Sequence, residues 1–140
     1  MAKNKINSLT TLHHVPLFSQ CSKKELKKIA QAGKEVYMAA GSVVIAEGAE
    51  GQEAYIIRKG VVSVRRNGRK ITGLGAGAVI GELSLLGAGV RTATVTCDTE
   101  VDMLVIKREQ FLKVLEDVPS LNGKVLQNVA RRLADLAKSV

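Results

Sequence analysis

The chain has few of the residues on which several common kinds of site depend. Only 3% of its 140 residues are aromatic and none is Trp, so it lacks the stacking platform with which proteins bind single-stranded nucleic acid. Cys21 and Cys97 fit neither a metal-ligand spacing nor a disulfide framework, and we expect two reduced thiols. His13 and His14, the only histidines, are adjacent and point apart, which argues against a metal site.

Long apolar runs are absent as well. No stretch reaches the length of a transmembrane helix, and the polar N-terminus lacks the apolar core of a signal peptide. We therefore expect a soluble, cytoplasmic protein. A chain of 140 residues has room for one domain and little more.

Positive charge is concentrated near the N-terminus. The formal net charge is +8, and residues 1–34 contain seven lysines against one glutamate. This pattern favours a solvated helix face and a polar tail. The alternative is a surface that binds nucleic acid or a membrane, and nucleic-acid binding would depend strongly on salt.

The N-terminal third predicts helix. Residues 1–14 are either a tail or a short helix. Ser22 and Glu25 fit a capping box, and Gly33 follows as a helix end. The apolar residues of this helix lie on one face: Leu26, Ile29 and Ala30.

From Glu35 the pattern changes to short β-rich runs separated by glycines. The predicted strands are Val36–Met38, Val43–Ala46, Ala54–Arg58, Val61–Arg66, Lys70–Leu74, Thr92–Cys97 and Val101–Ile106. Asn67-Gly68 is the strongest hairpin signal in the chain. Short strands between glycine turns predict a small antiparallel barrel or roll.

Two helices are predicted after the last strand, over Glu109–Leu115 and from Pro119 to about Lys138. The apolar residues of the second helix recur at helical spacing: Leu126, Val129, Leu133 and Leu136. This stripe can pack against the roll, which we favour, or form the seam of a dimer.

Residues 81–94 interrupt the strands with the features of an anion site. Gly81 lets the backbone approach a ligand, and residues 82–86 can form a helical turn whose first N–H groups attract phosphate. The Arg91 guanidinium can donate a bidentate pair of hydrogen bonds to two phosphate oxygens. Since Glu82 cannot usefully face a phosphate, we expect it to accept from sugar hydroxyls. The stretch therefore predicts a ligand with both ribose and phosphate.

The segment Gly81-Glu82-Leu83-Ser84-Leu85-Leu86, followed by Arg91-Thr92-Ala93-Thr94-Val95, resembles the phosphate-binding cassette of the cyclic nucleotide-binding domain family. The resemblance extends from about Val15 to Leu136 and gives one domain over residues 15–140. It implies an α+β fold. Its expected parts are an antiparallel eight-stranded, jelly-roll-like β-roll with an N-terminal helix, a short cassette helix and two C-terminal helices.

The resemblance also implies roles for individual residues. Glu82 would accept from the ribose 2′-hydroxyl, and Arg91 would pair with the cyclic phosphate. The last helix would reach over the base. The full set of expected ligand-binding residues is Gly81, Glu82, Leu83, Ser84, Arg91, Thr92, Ala93, Val64, Thr72, Leu74, Arg132 and Leu136. Ile80 departs from the family, which often has Phe before the Gly-Glu pair. No catalytic residue, cofactor or metal is implied.

The function that follows is a sensor that binds a cyclic nucleotide and transmits the event through its C-terminal helices. No DNA-binding, kinase or channel segment is visible, so we expect a stand-alone sensor. Its output would then be a downstream protein or self-association.

The identity of the base is less constrained. Thr92 permits cGMP, but Thr also occurs in domains that prefer cAMP, and we favour cAMP. The alternative is a degenerate cassette that acts as a protein-interaction domain. A metal-dependent enzyme is disfavoured because both histidines lie outside the roll.

Overall fold

The computed structural model describes residues 8–86 and 90–138. The helices are α1 (Ser8–His13), α2 (Lys23–Gln31), α3 (Arg108–Asp117) and α4 (Pro119–Lys138), with 3₁₀ turns at Pro16–Phe18 and Glu82–Leu86. The strands are β1 (Lys34–Met38), β2 (Val43–Ile45), β3 (Glu53–Lys59), β4 (Val62–Arg66), β5 (Arg69–Leu74), β6 (Val79–Ile80), β7 (Thr94–Cys97) and β8 (Val101–Lys107).

The strands form two four-stranded antiparallel sheets. The first has the order β1-β8-β3-β6 and the second the order β2-β7-β4-β5. One apolar core fills the space between the sheets, and another lies beneath the helices. This arrangement confirms the predicted eight-stranded roll and its helices.

Helix α2 begins at the cap predicted from the sequence. The Ser22 hydroxyl accepts from the Glu25 N–H at 3.2 Å, and the Glu25 carboxylate accepts from the Ser22 N–H at 2.8 Å, so the predicted capping box is confirmed. Of the predicted tail or short helix, residues 8–13 are helical, and residues 1–7 lie outside the described residues.

The hairpin between β4 and β5 turns at Asn67 and Gly68 as predicted. Both have positive φ, 52° and 79°, which is the geometry of a type I′ turn. Arg66 therefore pairs with Arg69 across the hairpin.

Two strand predictions are corrected. The two-residue strand β6 was not predicted, because it is too short to show a pattern and follows a glycine-rich loop. β7 begins at Thr94 and not at Thr92, since the preceding residues turn toward a cavity.

Helix α4 buries a different face from the predicted one. Leu121, Val125 and Asn128 are buried, whereas Leu126 is 66% exposed. Packing of Leu126 against the roll is therefore a wrong prediction. Val129 is half-buried against the helical core. The side chains of Leu133 and Leu136, which complete the predicted stripe, lie outside the described residues.

Candidate functional site

A cavity of about 420 Å³ lies between the second sheet and the turn Glu82–Leu86. Nine of the twelve residues predicted to bind ligand line this cavity. They are Val64, Thr72, Leu74, Gly81, Glu82, Ser84, Arg91, Thr92 and Ala93. The side chains of the other three, Leu83, Arg132 and Leu136, lie outside the described part of the chain.

Arg91 is buried in the wall of the cavity, with 7% of its surface exposed. Its Nη1 donates to the Ser84 hydroxyl at 2.8 Å, and its Nη2 donates to the Glu53 carbonyl at 2.8 Å. The guanidinium also lies 5.6 Å from the centre of the Tyr55 ring. These contacts fix the orientation of the guanidinium in the cavity wall.

The phenol beneath Arg91 stays neutral over the physiological range. Burial raises the pKa of Tyr55 to about 12, helped by the carboxylate of Glu53. The Tyr55 hydroxyl donates to that carboxylate at 2.8 Å. A neutral ring packs against a cation without adding a formal charge to the site.

Two glycines make room for the Arg91 guanidinium. Gly81 has a φ of +74°, and a Cβ there would collide with Nη1 of Arg91. A Cβ at Gly51 would collide with the Ser84 hydroxyl and lie 3.0 Å from Cζ of Arg91. Gly51 was not among the predicted site residues, so its place beside the site was missed.

Ser84 is the polar centre of the turn Glu82–Leu86. It is buried, and its N–H donates to the carbonyl of Gly81 at 3.0 Å. The first N–H groups of this turn were predicted to attract phosphate, and in this structure the Ser84 N–H closes the turn. Leu85, fully buried in the helical core, anchors the turn from below.

Arg108, the first residue of α3, connects that helix to the site. Its Nε donates to the Ser84 carbonyl at 2.7 Å, and its Nη2 donates to the Gly51 carbonyl. Its own N–H donates to the carbonyl of Gln52 at 2.8 Å. This role was missed because a cation next to Lys107 at a helix start resembles a solvated residue.

The cavity wall contains further residues that were not among the predicted ligand-binding residues: Ile45, Arg66, Val79, Val90 and Val95, together with Ile80. Arg66 is the polar member of this group. It is exposed, and its Nε donates to the Thr92 carbonyl at 3.0 Å. Its position two residues after Val64 on β4 was the available signal, since alternate residues of a strand share a face.

Within residues 8–86 and 90–138, no group of three or more His, Cys, Asp or Glu side chains is placed to hold a metal ion. None of the helices in these ranges is long and apolar enough to cross a membrane.

Comparison with known sequences places this geometry in context. The model of the family described as "Cyclic nucleotide-binding domain" matches residues 35–118. The human potassium/sodium hyperpolarization-activated cyclic nucleotide-gated channel 4 is 41% identical over 81 residues, which are 58% of this chain and 7% of the channel. The cAMP-dependent protein kinase regulatory subunit of Schizosaccharomyces pombe is 35% identical over 105 residues, which are 74% of this chain and 26% of the subunit. The chain thus spans a small part of these relatives.

Solved structures agree with the sequence comparison. The N-terminal domain of a transcriptional regulator from Streptomyces coelicolor A3(2) is 31% identical, with a TM-score of 0.84 over 93% of this chain and 96% of that one. The catabolite activator protein of Thermus thermophilus is 26% identical, with a TM-score of 0.70 over 89% of this chain and 61% of that one. With the family match over residues 35–118, these findings show that the chain belongs to the cyclic nucleotide-binding domain family, whose domains are regulatory and not catalytic.

Proposed function

We propose that this chain is a non-enzymatic sensor whose ligand is a cyclic purine nucleotide. The observation that carries the proposal is the buried Arg91 guanidinium in the wall of a cavity of about 420 Å³. Within the described part of the chain, this guanidinium contacts a hydroxyl, a carbonyl oxygen and an aromatic ring, all of them neutral. A buried charge is costly unless an opposite charge compensates it, and a ligand phosphate would supply that charge.

The remaining parts of the ligand follow from the rest of the cavity. Glu82 lies in the wall next to Gly81, where its carboxylate would accept from the ribose hydroxyl. The base would lie against the apolar part of the wall, formed by Val64, Leu74 and their neighbours. The phosphate would take over the donors that Arg91 now directs at Ser84.

Two bases are candidates. We favour cAMP as the first candidate, and the name of the kinase regulatory subunit that this chain resembles refers to cAMP. Thr92 lines the cavity, and its hydroxyl could accept from the amino group of guanine, so cGMP is the second candidate. Side chains on the base side of the cavity would decide between them.

Transmission would begin at Ser84 and pass to α3. The Ser84 hydroxyl accepts from Arg91, and the Ser84 carbonyl accepts from Arg108. A phosphate that changed the position of Ser84 would therefore also act on the first residue of α3. A ligand shifts such an equilibrium only through different contacts with the two states.

Contacts at the start of α4 limit which part of the helix can move alone. Glu25 accepts from the Ser120 hydroxyl and from Nζ of Lys124, both at 2.6 Å. The Asn128 amide donates to the Leu17 carbonyl at 3.0 Å. We propose that the helix beyond Asn128 responds to ligand, with Arg132 and Leu136 as the contacts with the base.

Calorimetric titration with cAMP and cGMP tests the binding proposal. Arg91→Ala should weaken binding more than tenfold, since a hydrogen bond to a charged group contributes about 1.5–3 kcal/mol. Arg69→Ala is the matched control, because it removes the same charge from an exposed hairpin position. If the folded wild-type protein releases no heat with either nucleotide, the proposal fails and a protein-interaction domain takes its place.

Nuclear magnetic resonance tests transmission separately. Saturating nucleotide should shift amide signals of residues 129–138 and of the start of α3. If the protein binds nucleotide while these signals stay unchanged, the transmission proposal is wrong and the binding proposal stands.

A further inference from the structure

The ligand cavity has a second guanidinium at its rim. Arg66 and the buried Arg91 both line the cavity, but they are held by different parts of the fold. Arg91 is bonded to the Glu53 carbonyl on β3 of the first sheet. Arg66 belongs to β4 of the second sheet and is exposed at the β4–β5 hairpin.

Arg66 lies on the part of the cavity wall where we expect the base of the nucleotide. Val64 and Arg66 are alternate residues of β4, so they share one face of the strand. The partners of Val64 across the second sheet are Val95 and Thr72, and all of them line the cavity. This is the wall that remains for the base once the phosphate is at Arg91 and the ribose at Glu82.

Among the described residues, Arg66 uses only Nε for a side-chain hydrogen bond, and its two terminal nitrogens remain available to a ligand. Its Nε donates to the Thr92 carbonyl at 3.0 Å, which fixes the side chain against the segment that carries Arg91. The two terminal nitrogens of a guanidinium are a pair of parallel donors, and the group has no acceptor. Arg66 therefore presents donors alone to a base in the cavity.

We propose that Arg66 binds the O6/N7 edge of a 6-oxopurine and shifts the selectivity of this chain from cAMP toward cGMP; the proposal rests on the binding function proposed above. Guanine offers two acceptors, O6 and N7, which match a guanidinium fork. Adenine offers N7 beside an amino group, and that amino group would face a second donor. Arg66 is thus a specificity-determining residue for the base, whereas Arg91 serves the phosphate that both nucleotides share.

Titration with three nucleotides tests this assignment. The ligands are cGMP, cAMP and cyclic inosine monophosphate, which keeps O6 and N7 but lacks the exocyclic amino group available to Thr92. The proteins are wild type, Arg66→Ala, Arg66→Lys and the control Arg69→Ala. Arg69 pairs with Arg66 across the hairpin, so its removal changes the local charge equally. Thermal unfolding of each variant verifies that it is folded.

Arg66→Ala should weaken cGMP and cyclic inosine monophosphate by about tenfold or more, as expected for loss of a bidentate contact to a purine edge. Binding of cAMP should change by less than about threefold, and Arg66→Lys should fall between wild type and Ala, since lysine is a single point charge. Arg69→Ala should leave the ratio of the affinities unchanged.

The proposal is overturned if Arg66→Ala weakens all three nucleotides equally, which would mean that Arg66 acts on the phosphate or supports Thr92. It is also overturned if the variant keeps the wild-type ratio of cGMP to cAMP affinity. A third contrary result would be that Arg66→Ala weakens the binding of cGMP but not that of cyclic inosine monophosphate. Absence of binding by the wild-type protein would refute the sensor function itself, an outcome distinct from an unchanged ratio.

Discussion

Replacement of Glu25 by Gln should destabilise the protein by about 3 kcal/mol at neutral pH. Glu25 is only 6% exposed. Burial by itself raises its pKa, but hydrogen bonds from Lys124, Ser120 and the Ser22 N–H, with the charge of Lys124, outweigh burial and lower the pKa from 4.5 to about 2. At about 1.4 kcal/mol for each pKa unit, this difference corresponds to about 3 kcal/mol of preference for the ionised form.

The dependence on pH has a defined sign. The folded-state pKa of Glu25 lies below its unfolded value, so its contribution is fully present above about pH 5 and is lost as the pH falls toward 2. Wild type and Glu25→Gln should therefore differ most at neutral pH and converge near pH 2. Glu116→Gln, at an exposed position of α3, is the control and should change stability by less than about 0.5 kcal/mol.

Urea unfolding measured between pH 7 and pH 2.5 provides the assay. A loss of 3 kcal/mol should also lower the melting temperature by roughly 10 °C for a domain of this size. The reasoning is refuted if Glu25→Gln costs less than about 1 kcal/mol at pH 7, or if its stability runs parallel to that of wild type throughout the acid range. Either result would mean that, in solution, Lys124 and Ser120 do not form these hydrogen bonds with the Glu25 carboxylate.

Two further predictions concern the cassette. Gly81→Ala should abolish most nucleotide binding, because the new Cβ would displace the Arg91 guanidinium. Gly68→Ala is the control: Gly68 has a similar positive φ with open space around it, so this variant should lose about 1 kcal/mol of stability and keep its affinity. Equal affinities of the two variants in calorimetry would contradict the packing of Arg91 against Gly81. Arg108→Ala should lower stability by about 2 kcal/mol, since it removes charge-assisted bonds to two carbonyls. It should also reduce the ligand-induced shifts of the α3 amide signals more than it reduces affinity. Unchanged shifts in nuclear magnetic resonance would exclude Arg108 from transmission.

Local features of the fold could be predicted because local sequence determines them. The Asn67-Gly68 turn needs two residues that tolerate positive φ, and few other dipeptides do. The capping box joins residues three apart, Ser22 and Glu25. The cassette likewise gathers most of its polar groups within one short stretch, so its residue types and spacing already indicated a phosphate and a sugar.

Contacts between residues far apart in the chain could not be predicted, because no local sequence pattern indicates them. Arg108 reaches a carbonyl of Gly51, 57 residues away, and Arg91 reaches a carbonyl of Glu53, 38 residues away. Any residue type provides a backbone carbonyl, so no pattern points to such an acceptor. The place of Gly51 beside Arg91 depends in the same way on how the loop before β3 meets the cassette.

The buried face of α4 was mispredicted for a different reason. Leu126 begins a stripe with good helical spacing, but the helix buries Leu121, Val125 and Asn128. Asn128 is polar, and its bond to the Leu17 carbonyl explains why it lies inside. An apolar pattern cannot predict a buried amide whose partner is a backbone group elsewhere in the chain.

The attachment of α4 over its first half has a mechanical consequence. Lys124 and Asn128 fix the helix to the N-terminal elements, and the helix continues to Lys138. At about 1.5 Å per residue, the segment beyond Asn128 is a lever arm of about 15 Å. A rotation of about 20° at its fixed point would move the far end by about 5 Å. A movement of that size at the end of α4 would be large enough for another protein surface to detect.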